Sequence, residues 1–157
     1  EQVSRQQAII SAAVYADRHI ARERVLQDWE RWLQEGIVDM VVLMAYQPDE
    51  QWVAARLHEA MSRSGSRHVY SGLGAYRVEN DLRLFRRLIL RARLARTQGI
   101  ALFSYATLRD HPEMTRLLRD ELFAVSAVVP EMPWKPQRET VAGRAEAGAQ
   151  SGRLGPR

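Results

Sequence analysis

Apolar residues in this chain gather in four short runs separated by longer amphipathic stretches. The most pronounced is Val38–Tyr46 (VDMVVLMAY), apolar throughout except Asp39 and containing three β-branched valines. It follows Gly36 and stops before Pro48, which makes it too short and too firmly punctuated for a helix. A continuous apolar run of this length predicts a strand buried on both faces, as in a parallel sheet with helices outside. Comparable runs are Ile9–Tyr15 (IISAAVY), His68–Gly74 (HVYSGLG) and Ile100–Tyr105 (IALFSY). From Ile9 to Val38 is 29 residues, from Val38 to Val69 is 31, and from Val69 to Ile100 is again 31. About 30 residues is the length of one strand–helix unit, so the pattern predicts four βα units in series.

The intervening stretches read as helices. The first is predicted from about His19 to Glu35, with Val25, Trp29, Trp32 and Leu33 on one stripe and Gly36 at its C′ position. Asp49 is a suitable N-cap for the second, whose stripe is Val53, Leu57, Ala60 and Met61 and whose end is Gly65. Asn80 is a candidate cap for the third, with Phe85, Leu88, Ile89 and Ala92 buried and Gly99 as its stop. Pro112 suits the first turn of a helix packed by Met114, Leu117 and Leu118. Residues 1–8 read as the end of a preceding helix or a frayed terminus. Residues 1–129 form the predicted folded unit, and 130–157 form a Pro/Gly/Arg-rich tail. That tail should be disordered beyond about Pro136, with Trp134 as the one residue able to pin it to the domain.

Composition narrows the function. At 157 residues and 46% hydrophobic, the chain can bury one real core. It has no cysteine, so there is no disulfide framework, thiolate metal site or thiol nucleophile. No run approaches the roughly 20 apolar residues of a transmembrane helix. No signal-peptide pattern is present, but the chain opens on Glu1 rather than Met, so this decides nothing about export. Half of the net charge of +4 falls in residues 130–157, where five basic residues face three acidic ones. The remainder is no nucleic-acid footprint. The arginines of the third helix (Arg83, Arg86, Arg87, Arg91, Arg93, Arg96) read as a solvated outer face. His19, His58, His68 and His111 have no ligand spacing, so no metal site is expected. Gly72-Leu73-Gly74 is followed by Arg77 where a dinucleotide fingerprint needs a third glycine, and neither a Gly-x-Ser-x-Gly elbow nor a P-loop is present. No cofactor is expected.

Four βα units allow an open doubly wound sheet or part of a (β/α)8 barrel, which takes about 250 residues. The expectation adopted here is the carboxy-terminal half of a TIM barrel, strands five to eight. Such a half leaves two strand edges unpaired and one sheet face uncovered. It calls for a missing half, a twin, or a tail folded over it. Gln27-Asp28-Trp29, Trp32-Leu33, Gly36, Val38-Asp39 and Met44-Ala45-Tyr46, together with Gly72-Leu73-Gly74-Ala75-Tyr76 and Leu102-Phe103-Ser104-Tyr105, resemble the second half of the glycosyl-hydrolase-like family 10, a bacterial group, over residues 9–108. The resemblance implies a TIM barrel acting on a bacterial polysaccharide such as peptidoglycan glycan strands, in the cell envelope or exported. It also implies a family acidic motif on a fourth barrel strand that has no counterpart in this chain, so the chain reads as a fragment lacking the main catalytic acid.

Barrel active sites lie at the carboxy ends of the strands. Those ends carry Tyr15 and Asp17, then Met44, Tyr46 and Gln47, then Gly74, Tyr76 and Arg77, then Ser104 and Tyr105. A tyrosine at every strand end suits a sugar, since the ring stacks on a pyranose face and the hydroxyl reaches its polar rim. The same tyrosines could instead cap the core. Met44, Tyr46, Gln47, Gly74, Tyr76, Ser104 and Tyr105 are the candidate substrate-binding residues. Glycoside hydrolysis normally needs two flanking carboxyl groups. Asp17 is the local catalytic candidate, with a loop-fixing role as the competing reading. Asp49 reads as a helix cap, Glu79 lies further from the strand end, and Asp28 and Asp39 read as structural contacts. The alternatives to a hydrolase fragment are a carbohydrate-binding module without catalysis and an α/β interaction domain that self-associates through its open sheet edges.

Overall fold

The computed structural model describes residues 8–135; the expectations for residues 1–7 and for the tail from residue 136 lie outside them. Four parallel strands form one sheet in the order β1-β2-β3-β4: β1 Ser11–Tyr15, β2 Met40–Met44, β3 His68–Gly74 and β4 Gly99–Phe103. Strand three matches its run, whereas the other three are shorter, β4 giving way at Ser104 to the N-cap of the next helix. Helices alternate with the strands: α1 Trp29–Gln34, α2 Glu50–Arg63, α3 Leu82–Leu94, α4 Tyr105–Asp110 and α5 Pro112–Leu117. No helix among the described residues is long and apolar enough to cross a membrane.

The strand order decides the layering. Every crossover steps in the same direction, and βα crossovers are right-handed, so all the helices fall on one face. A doubly wound sheet would need the order to reverse. The register shows the consequence. Val14, Leu43, Ser71 and Ile100 form one cross-sheet row, and the next row on that face is Ala12, Val41 and Val69. These pack against Leu57, Phe85, Leu88 and Ile89 in one continuous core. On the opposite face lie the rows Ala13-Val42-Tyr70-Gly99 and Tyr15-Met44-Gly72-Ala101. None of these residues belongs to the core or packs on it. Among the described residues the helices therefore cover the sheet on one side only. Gly99 is held small by this open face, because a Cβ there would collide with the Tyr70 ring.

Helix ends explain where the sequence pattern was followed. The predicted helix from His19 to Glu35 is broken into a π-helical turn over Ile20–Arg24, a loop, and α1. Leu26 adopts φ +57° at the break, the Gln27 amide donates back to the Ala21 carbonyl at 2.8 Å, and Val25 leaves the stripe, while Trp29 and Leu33 stay buried. Gly36, at φ +70°, closes α1 as expected: its amide donates to Leu33 and the Ile37 amide to Trp32, a Schellman pair. Asp49 caps α2 by accepting from the Gln51 and Trp52 amides at 2.9 and 3.0 Å, and Gly65 takes φ +61° beyond its end. Asp81, not Asn80, caps α3, accepting from the Leu84 amide at 2.8 Å. Arg96, not Gly99, takes the left-handed position after α3, at φ +58°. The stripe Phe85, Leu88, Ile89 and Ala92 is buried as expected, and Pro112 opens α5 with Met114 and Leu117 buried. Among the arginines of α3, Arg87 and Arg91 pair with Glu50 at 2.8 and 2.6 Å, so much of this face is spent on intramolecular ion pairs.

After α5 a π-helical turn, Leu118–Leu122, leads into an extended strap. The Arg93 guanidinium holds the strap's start by donating to the Leu122 carbonyl and lying 4.9 Å over the Phe123 ring. Its end is anchored beneath β2 and β3, as expected of Trp134. The Trp134 indole donates to Asp39 at 2.8 Å, Lys135 donates to the same carboxylate at 2.9 Å, and the Arg67 guanidinium lies 4.6 Å over the Trp134 ring. His68 meets the same ring edge-on at 4.9 Å. The strap thus closes the amino-terminal end of the open sheet face.

Candidate functional site: an aromatic rim at the carboxy-terminal strand ends

The end of the sheet opposite the strap carries three rings in mutual contact. Tyr46, two residues past β2, stacks on Phe103 at the last position of β4, with centroids 5.7 Å apart and 13° between the planes. Tyr76, in the 3₁₀ turn after β3, meets Tyr46 edge-on at 6.2 Å and Phe103 edge-on at 6.1 Å. Gly74 makes this possible. It is the register partner of Phe103, and a Cβ on it would press on Tyr46 at 3.1 Å and Arg77 at 3.1 Å. Glycine here leaves room for a ring from the strand on either side. Arg77 lies 5.9 Å from the Tyr76 ring, so the cluster has a cation on its flank.

The three rings differ in exposure. Tyr46 is the most enclosed, Tyr76 is exposed, and Phe103 is 54% exposed. Burial, with the neighbouring Tyr76 phenol as a smaller contribution, pushes the Tyr46 phenol above its ordinary range. It therefore remains a neutral hydroxyl, able to donate or accept one hydrogen bond, well into alkaline pH. The arrangement offers a partly exposed aromatic surface edged by two phenols and a guanidinium. Such a surface fits a ligand with one apolar face and a polar perimeter.

The other expected site residues fall in different places. Met44 lies beside this cluster on the open face, in the same row as Tyr15 and Gly72. Tyr15 is exposed on that face at the sheet edge, and among the described residues no ring packs on it. Gln47 is exposed beyond β2. Ser104 occupies the N-cap of α4 without a side-chain capping bond, and Tyr105 begins α4 at 77% exposure, lining an apolar groove of about 400 Å³ with Leu108 and Pro112 rather than joining the three rings. Phe103 was not among the expected site residues. The signal that could have found it is the alternation along β4, which puts positions 99, 101 and 103 on the open face.

The carboxylates are committed elsewhere. Asp17 accepts from the His19 and Ile20 amides at 3.0 and 3.1 Å and lies 3.8 Å from Arg56 of α2. That fixes the loop after β1 and ties it to an ion network in the helix layer, where Arg56, Arg18 and Glu59 pair at 2.7 and 2.9 Å. Asp49 is consumed as a helix cap, and Glu79 faces His111 at 3.7 Å. Asp28 lies 3.8 Å from Arg22 beside a polar cavity of about 150 Å³. Asp39 is at the far end of the sheet. Burial opposes its ionisation, but the Ile10 amide, Lys135 and Trp134 outweigh that and hold its carboxyl below the usual range. Among the described residues no group of three or more His, Cys, Asp or Glu side chains could hold a metal ion. No protein-family model, curated protein or solved structure matches this chain.

Proposed function

We propose that the rim of Tyr46, Tyr76 and Phe103 binds a polysaccharide, and that the sheet is one wall of a glycoside-hydrolase-like (β/α)8 barrel. The observation that carries this reading is the three-ring cluster at the carboxy-terminal end of a singly wound parallel sheet, the end where barrel ligands bind. The resemblance of Met44-Ala45-Tyr46 and Gly72–Tyr76 to the glycosyl-hydrolase-like family 10 supports the same ligand class and points to bacterial glycan strands. The placement of the carboxylates favours binding over hydrolysis by this wall alone. Retention or inversion needs two carboxyl groups about 5–9.5 Å apart across the bond, and Asp17, Asp49 and Glu79 are each engaged in a structural contact. A catalytic acid would come from outside the described residues.

Titration calorimetry with soluble peptidoglycan glycan oligomers tests the reading. A well-placed ring contact is worth about 0.5–1.5 kcal/mol, so Tyr46→Ala or Tyr76→Ala should weaken binding roughly 2- to 13-fold. Tyr76→Phe should retain most of the affinity, since the ring face remains. Binding unchanged in both alanine variants, with circular dichroism showing intact folds, would refute the glycan reading. Absence of reducing-end release on the same oligomers would select the non-catalytic form of it.

A further inference from the structure

We infer that the open face and both open edges of this sheet are covered by a second copy of the same chain, the two sheets closing into one eight-stranded parallel barrel. The inference rests on the sheet geometry and not on the identity of any ligand.

The two edges are complementary. On β1 the Ile10 carbonyl takes the Met40 amide, so the peptide groups of Ile10 and of alternate residues beyond it face β2, and those of Ser11 and Ala13 face outward. On β3 the His68 amide donates to Asp39 and the Gly72 carbonyl accepts from Ala45, so the peptides of Val69, Ser71 and Leu73 face β4; with Tyr70 opposite Gly99, those of Gly99, Ala101 and Phe103 face β3, and those of Ile100 and Leu102 face outward. On the β1 edge the Tyr15 amide donates to Gln27 at 3.0 Å, which among the described residues leaves Ser11 and Ala13 for pairing. A two-fold axis parallel to the strands sets β1 of each copy beside β4 of the other, with every strand parallel. It closes at two copies, and four strands from each give the eight that a side-chain-filled barrel requires.

The face is apolar and of suitable size. A fully exposed aromatic side chain presents about 150–250 Å², and Tyr15 and Phe103 are 45% and 54% exposed. Ile9 and Ile10, at the foot of β1, are exposed to a similar degree. With the partly exposed Met40, Val42, Met44 and Tyr70 between them, the face and edges offer on the order of 800 Å², the area per partner of a stable interface. The strap anchored by Trp134 already covers the lower end of the face, so the partner sheet need fill only the middle and the upper rim. Both copies then present their aromatic clusters at one shared mouth.

Light scattering on the full chain at micromolar concentration tests this. The expected mass is twice 18.0 kDa. Ala13→Lys and Ala101→Lys place a charge in the closed interior without touching the helix-side core, and each should shift the mass to that of one chain with helical circular dichroism retained. Leu94→Lys, on the exposed outer surface of α3, should leave the mass unchanged. Independently of any variant, the Ala13 and Leu102 amides, which face the two open edges, should be protected from hydrogen exchange in the wild-type protein. A monomer, an open-ended series of larger species, or a dimer whose Ala13 and Leu102 amides exchange freely would each overturn the inference.

Discussion

Replacing Asp39 by alanine removes the acceptor on which the lower end of the domain converges. The carboxylate is 4% exposed and accepts from the Ile10 amide at 2.8 Å, the Trp134 indole at 2.8 Å and Lys135 at 2.9 Å, with Arg67 at 4.0 Å. Hydrogen bonds to a charged group contribute about 1.5–3 kcal/mol each, and a buried donor left unpaired costs about 1–3 kcal/mol. These costs are not additive, because Lys135 also reaches the Ala8 carbonyl at 3.1 Å and can relax toward solvent. Breaking one side of a buried pair costs about 3–5 kcal/mol, and Asp39→Ala is expected to destabilise by that amount in urea titration. Asp39→Asn keeps the shape and should cost less. Trp134→Phe, which deletes one donor but keeps the ring between Arg67 and His68, should cost about 1.5–3 kcal/mol. Because both act through the same bond, the double variant should fall short of the sum by about 1–2 kcal/mol. A loss below about 1 kcal/mol for Asp39→Ala, or strict additivity in the cycle, would show that the strap does not rely on this carboxylate.

Two further outcomes follow from the same structure. Burial depresses the His68 pKa below 6.5, only partly offset by the Glu131 backbone; the unfolded chain therefore binds the extra proton first as pH falls. Stability from this group is fully present above pH 6.5 and is lost as pH drops from there toward the folded value, a slope that urea midpoints at several pH values should show and that His68→Phe should flatten. At the start of α3, Asp81→Ala should cost about 1 kcal/mol through loss of its bond to the Leu84 amide, whereas Asn80→Ala should leave the thermal midpoint nearly unchanged; equal effects would contradict the observed cap.

The four strands, their parallel direction and their alternation with helices were legible in the sequence because each depends on local features. Short Val-rich runs between Gly and Pro cannot be helices of useful length, and a 30-residue period leaves room for only one crossover helix. The stripes of the second and third helices, the caps at Asp49 and Gly36 and the anchoring role of Trp134 were likewise readable from spacing and residue type. The break at Leu26 was not, because an uninterrupted amphipathic pattern gives no sign that Gln27 is needed at the edge of β1 to meet the Tyr15 amide. Nor was the choice of Asp81 over Asn80, since both side chains can cap and only the chain's path into the helix decides which reaches the Leu84 amide.

The candidate site divides along the same line. Tyrosines at strand ends could be listed from the sequence, and the list included Tyr15 and Tyr105, which stand apart, and omitted Phe103 as a contact residue. Which rings meet is set by cross-strand register: Gly74 lies opposite Phe103 and leaves the space that Tyr46 enters from the neighbouring strand. The sequence by itself determined the number of βα units and the chemical character of the rim. That the helices cover one face and that three particular rings touch emerged only in the folded chain, because each depends on pairing between residues about 30 positions apart, which local propensity does not encode.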